Sequence, residues 1–125
     1  MKKISFLALF LITICSANAI FSQTQTFSVV NNTGATVTGI YMSPATEYKW
    51  NPNMLEADKK VTAKETFNFS MPVDDRSCVY DFKYTTDDGK VFVRSGVNLC
   101  EVRDIAFTST DKTYEDHIDT QLKQK

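Results

Sequence analysis

The chain has 125 residues, 42% hydrophobic and 12% aromatic, with 14 basic and 15 acidic side chains and a net charge of −1. That length suits one domain, and a slightly acidic balance offers no basic field for nucleic acid or an anionic membrane surface. One histidine and three cysteines leave little material for a metal or redox centre.

Residues 1–19 read as a secretory signal: Lys2 and Lys3 start it, Ile4 to Cys15 are mainly apolar, and Ala17-Asn18-Ala19 is a small-x-small cleavage site. Cleavage after Ser22 is the alternative. The apolar run is shorter than the roughly 20 residues that span a bilayer, so no membrane insertion is expected after cleavage; an uncleaved anchor is the other reading. Ile14 stands where a lipoprotein signal wants a small residue before Cys15. Lys2 and Lys3 contribute +2 to the total of −1, so the mature chain carries about −3. Cys78 and Cys100 remain, an even number suited to the periplasm or the extracellular space.

Thr24 to Asn31 is a predicted strand, rich in Thr, Val and Phe, and Thr36 to Met42 is a second. The turn signal Asn32-Thr33-Gly34 between them predicts a hairpin. Ser43-Pro44 ends the second strand, because proline cannot donate to a central ladder. Pro44 to Ala63 is a long irregular segment with the single tryptophan, Trp50, and a possible helical turn at Leu55 to Lys60. Loops of this length are often functional. In one reading Trp50 and Leu55 fold inward and cap the core. In the other, Tyr41, Tyr48 and Trp50 form an exposed aromatic platform with Asn51 and Asn53 as hydrogen-bonding partners, able to stack on a sugar or grip a peptide.

Thr66 to Met71 alternates cleanly, with Phe67, Phe69 and Met71 on one face. An acidic loop follows, and then the stretch from Cys78 to Cys100. There Cys78, Tyr80, Phe82 and Tyr84 alternate with Val79, Asp81 and Lys83, and Asp88-Gly89 is a two-residue hairpin signal. That turn sets Tyr84 opposite Val93, and a bulge at Gly96 brings Cys78 opposite Cys100 for a disulfide. A three-residue loop, Asp87-Asp88-Gly89, also puts the cysteines on one face but pairs Phe82 with Arg94. The bulged register is preferred because Val91 and Val93 then share a face with Phe82 and Tyr84.

Arg103 to Ser109 is the last predicted strand, with Ile105 and Phe107 inward. Asp111 to Lys125 is a polar tail, disordered or a short helix, with Tyr114, Ile118 and Leu122 four residues apart. About six strands with no long apolar helix predict an all-β fold: an antiparallel, immunoglobulin-like two-sheet sandwich over residues 24–109. A small β-barrel is the alternative. The expected core is Phe27, Val29, Val37, Phe67, Phe69, Tyr80, Phe82, Val91, Val93, Ile105 and Phe107.

Chemistry-bearing patterns are sparse. His117 lies in the tail with no nucleophile motif beside it. The four glycines sit at turn- or bulge-like positions rather than in a phosphate loop. No zinc set remains once the cysteines pair, and no cofactor is expected. Asp87-Asp88 reads as turn chemistry. Asp74 and Asp75 with Asp81 are the candidates for a carboxylate-based hydrolase, and with Asp81 or Glu101 for a calcium site.

The segments FSVVNNTGATVTGIYMSP, WNPNML, CVYDFKYTTDDGKVF and GVNLCEV resemble a pattern of small secreted bacterial proteins. It comprises an Asn-x-Thr-Gly turn, a Tyr-x-Ser-Pro strand end, a tryptophan loop and a Cys-x-x-Asp hairpin returning to Asn-Leu-Cys. The resemblance covers most of residues 27–102. It implies a sandwich and an export route, and no catalytic residues. One departure is that Asp58 to Lys64 holds no glycine, where the pattern is usually glycine-rich. The expectation is a non-catalytic exported module binding a glycan, peptide or protein, with a hydrolase or a calcium-stabilised domain as alternatives.

Overall fold

The computed structural model describes residues 24–74 and 76–123; the expected signal, residues 1–19, lies outside the described residues. The strands are β1 (Thr24–Asn32), β2 (Val37–Pro44), β3 (Thr66–Pro72), β4 (Val79–Thr86), β5 (Val91–Asn98), β6 (Asp104–Thr108) and the short β7 (Lys112–Thr113), followed by helix α1 (Tyr114–Lys123). They form two sheets, ordered β3-β1-β6 and β2-β4-β5-β7. The fold is the expected all-β two-sheet sandwich, and the separate sheets rule out a closed barrel. One pair is not antiparallel: β1 runs parallel to β6.

The period-2 pattern decides which side chains meet between the sheets. Phe27 and Val29 of β1 and Ile105 and Phe107 of β6 face Phe82 and Tyr84 of β4, all buried. Aromatic stacking joins the two layers: Tyr84 lies 4.0 Å from Phe107 at 11°, and Phe69 of β3 lies 6.0 Å from Phe82. Phe67, Phe69 and Tyr80 are half-buried against this core. Ile40, Met42, Leu55, Val61 and Leu99 complete it.

Two expectations about pairing are corrected. First, β1 and β2 do not form a hairpin; they lie in different sheets. The buried side chain of Asn31 turns the chain from one layer to the other, donating to Ala35 O at 2.7 Å and Val61 O at 2.8 Å. Second, the β4–β5 loop has three residues, closed by Thr86 N–H to Lys90 O at 3.0 Å and by the Thr86 hydroxyl on Asp88. Gly89 takes the left-handed position, φ 80°, as such loops require. Tyr84 therefore pairs with Phe92, Phe82 with Arg94 and Lys83 with Val93. Val93 is buried, but on the opposite face from Phe82.

The Gly96 bulge is present as well. The register shifts between Tyr80 and Phe82, Gly96 has φ 69°, and its N–H donates to Asp81 at 2.9 Å. Because the three-residue loop offsets it, the bulge sets Leu99 rather than the expected Cys100 opposite Cys78, with Leu99 N–H donating to Cys78 O at 2.9 Å. Cys78 and Cys100 are joined by a disulfide, with Cα atoms 5.5 Å apart.

Candidate functional site

Two regions could receive a ligand: the outer face of the β2-β4-β5-β7 sheet, and the opening between the β2 and β3 edges.

The outer face begins with alternation. Tyr41 and Ser43 of β2 stand opposite Lys83 and Asp81 of β4, on the side away from the core. Helix α1 and the loop after β2 close over them. Lys83 Nζ lies 4.8 Å from the Tyr41 ring, 4.9 Å from Trp50 and 5.1 Å from Tyr114, a three-ring cage around a cation. Trp50 and Tyr114 meet edge-to-face at 6.3 Å. Burial holds the Lys83 ammonium below the usual lysine pKa, because the rings replace water around the charge.

The structure thus brings Tyr41 and Trp50 together, both half-buried around Lys83 rather than standing as an exposed platform. A tail residue, Tyr114, supplies the third ring and the chain's own lysine fills the centre. Tyr48 is exposed, with φ 52°, and its ring lies 6.3 Å from that of His117. Asn53 serves the backbone: its carboxamide oxygen accepts from Ile40 N–H at 2.9 Å and Leu55 N–H at 3.0 Å. Asn51 donates its N–H to Met42 O at 2.8 Å. The irregular segment is therefore stitched along the edge of β2, and Leu55 enters the core. Trp50 stays half-buried on the outer face.

Beneath α1 lies a second cluster that the tail's spacing does not announce. His117 is buried, with Nε2 3.8 Å from the equally buried Asp81 carboxylate. That Nε2 has no hydrogen-bond partner. The Ser43 hydroxyl is turned elsewhere, donating to Pro44 O and accepting from Lys49 N–H. An acyl-transfer relay needs serine donating to histidine and histidine donating to aspartate, so these three residues are not arranged as one. The sequence signal available was Asp81 itself, a charged residue in a strand. Its partner is set by where the helix docks.

The other carboxylates are apart from this pair. Asp74 accepts from the Arg76 N–H at 3.0 Å and faces its guanidinium, contacts that lower its pKa. Asp88 is held low chiefly by the Thr86 hydroxyl in the β4–β5 turn. Asp75 lies outside the described residues. Among the described residues no group of three His, Cys, Asp or Glu side chains is placed to hold a metal ion.

The second region is a groove of about 420 Å³ lined by Met42, Pro44, Glu47, Lys49, Asn51, Met54, Phe69, Ser70, Met71 and Tyr80. One wall is β2 with its stitched loop, and the other is β3. The floor is apolar and sulfur-rich, and Glu47 and Lys49 are exposed on one wall. Asn51 is the one residue shared with the sequence-based candidate site. The groove's main residues were legible only as inward positions of β2 and β3. That the two edges leave space between them follows from the sheet order.

No protein-family model matches the chain, and neither does any curated protein sequence. Among solved structures, the NMR structure of a protein from Eubacterium rectale is similar at 15% identity, with a TM-score of 0.46 over 73% of this chain and 86% of that one. Among the described residues, no helix is long and apolar enough to cross a membrane.

Proposed function

We propose that this chain is an exported, non-catalytic binding module of a small secreted bacterial type, and that its ligand site is the groove between β2 and β3. The groove itself carries this reading: it has room of about 420 Å³ and an apolar floor of Met42, Met54, Phe69, Met71 and Tyr80 beside polar groups on one wall. Few convergent polar groups around an apolar hollow are what a ligand site offers. Methionine suits such a surface because its flexible thioether adapts to different partners. The aromatic cage is a weaker candidate, since Lys83 and Tyr114 already occupy it. Export is supported by the basic-apolar-small start of the sequence and by the Cys78–Cys100 disulfide.

An array of glycans and linear peptides probed with the chain tests this, with Met71→Glu and Trp50→Ala compared at matched folded fraction. Binding lost in Met71→Glu and kept in Trp50→Ala is the expected result. The opposite pattern moves the site to the aromatic cage.

A further inference from the structure

We infer that β3 accepts an extended peptide as an added strand, whose alternate apolar side chains fill the neighbouring groove. This rests on the groove being the ligand site and adds the mode of binding and the class of ligand.

The direction of the β3 backbone groups is the first observation. In an antiparallel pair, residues alternate between those that bond across and those whose N–H and C=O point away. Ser28 N–H donates to Arg103 O at 2.9 Å, toward β6. Ser28 pairs with Asn68, so Asn68 turns its own N–H and C=O away from β1. Thr66 and Ser70 share that parity. On the other parity, Asn31 N–H donates to Glu65 O at 2.9 Å. Among the described residues β3 is the end strand of its sheet. Thr66, Asn68 and Ser70 therefore present an unfilled main-chain ladder.

Composition is the second. Natural end strands are blunted by lysine, bulges or proline along their length. β3 reads TFNFSMP: it has no charged residue, it pairs with β1 without a bulge, and its proline comes last. Nothing in the strand repels another chain until Pro72, which ends the ladder. Five residues at about 3.4 Å each would span the stretch from Thr66 to Ser70.

The groove is the third. Phe69, Ser70 and Met71 form its β3 wall. The Ser70 hydroxyl is engaged on the outer face with Thr26 at 3.0 Å, so at this residue it is the strand edge that borders the groove. A strand laid there would send every second side chain toward Met42, Met54 and Tyr80. Glu47 and Lys49 suit a segment with no net charge.

A second copy of β3 fits less well. Its inward residues are committed at home: Phe69 stacks on Phe27 at 5.3 Å and on Phe67 at 6.2 Å. They cannot fill a neighbour's groove, whereas a lone peptide has its side chains free. Strand addition with pockets for alternate residues is an established way for domains to read extended segments.

The probe is a displayed library of random linear nine-residue peptides selected on the full chain, followed by synthetic versions of the captured sequences. Three results are expected. The amides of Thr66, Asn68 and Ser70 gain hydrogen-exchange protection on binding. N-methylating the peptide at the alternate positions that face β3 weakens binding about fivefold or more per group. Asn68→Pro, which removes an outward N–H while sparing the bonds to β1, weakens it similarly. The N-methylated peptides give the answer even if Asn68→Pro fails to fold. Captured peptides that lose binding to Met71→Glu, yet ignore N-methylation and leave the three amides exchanging, would overturn strand addition and leave the groove reading intact. A library yielding no binder, or binders indifferent to Met71→Glu, overturns both. A concentration-dependent dimer that protects the same amides would install a second copy instead and overturn the peptide.

Discussion

At the scale of single residues, the chain places several groups where ordinary rules disfavour them. Asp58 and Lys64 both have φ 69°, a left-handed conformation that costs a side chain about 1 kcal/mol or more. They lie in the glycine-free stretch from Asp58 to Lys64, so a left-handed turn geometry is held there by side chains that strain it. Lys64→Gly is expected to raise stability by about 0.5–1 kcal/mol, read as a shift in the urea midpoint at constant slope. Tyr84 is a second case. It is fully buried, and its hydroxyl donates to Asp111 at 2.7 Å and Thr108 O at 3.1 Å. Burial first, then the Asp111 hydrogen bond, pushes its pKa well above the usual 10.0. The folded state thus keeps a proton that the unfolded state has lost above pH 10. Stability from this group is complete below that pH and falls as pH rises past it. Tyr84→Phe should cost about 1–2 kcal/mol at neutral pH. It should also flatten the fall in unfolding free energy above pH 10, measured by urea titration.

At the scale of elements, the outcome turns on whether an element is held by its own period or by something docked on it. β3 and β4 were legible because alternation fixes their faces. The disulfide forms by a different route from the expected one. The three-residue turn and the Gly96 bulge shift the register in opposite directions and cancel, so Leu99 lies opposite Cys78, and Cys100 reaches Cys78 from the turn just after β5. The turn register was misjudged because the expected β5 face treated Val91 and Val93 as core. In fact Val93 is buried by the tail side, and Phe92 stacks on Tyr84 at 5.5 Å. The β2-edge loop was illegible for a different reason: its bonds come from backbone groups and the Asn53 carboxamide, which leave no periodic trace. α1 was legible as a helical pattern but not as a lid. Its stripe of Tyr114, Ile118 and Leu122 omits His117, the most buried of its described side chains. Removing the third ring tests that lid. Tyr114→Ala should cost about 1–2 kcal/mol, given the size of an aromatic contact. It should also shift Trp50 fluorescence to longer wavelength, because the indole edge and Lys83 are opened to water. An unchanged spectrum would mean that Tyr114 does not shield Trp50.

At the scale of the whole molecule, a small sandwich is held by one aromatic layer between its sheets and one covalent link. The disulfide spans a separation of 22 residues, worth about 3 kcal/mol in the chain-entropy account. Against a typical net stability of 5–15 kcal/mol, that is a large share. The Cys78→Ser, Cys100→Ser double variant should lose about that amount. Thermal unfolding with and without reductant should show wild type converging on the variant only when reduced. The sheet order bears on how the molecule comes together. β1 is the central strand of its sheet, yet its parallel partner, β6, is contributed about 75 residues later in the chain (Val29 beside Ile105, for instance). That layer cannot close until nearly the whole polypeptide is present, whereas β4 and β5 can pair as soon as their short turn forms. Such distant pairing slows folding. The leading strand can take β3 on one side before the later hairpin exists, but its other side stays open, and a chain emerging end-first would need that open side kept from rival edges until the last strand arrives.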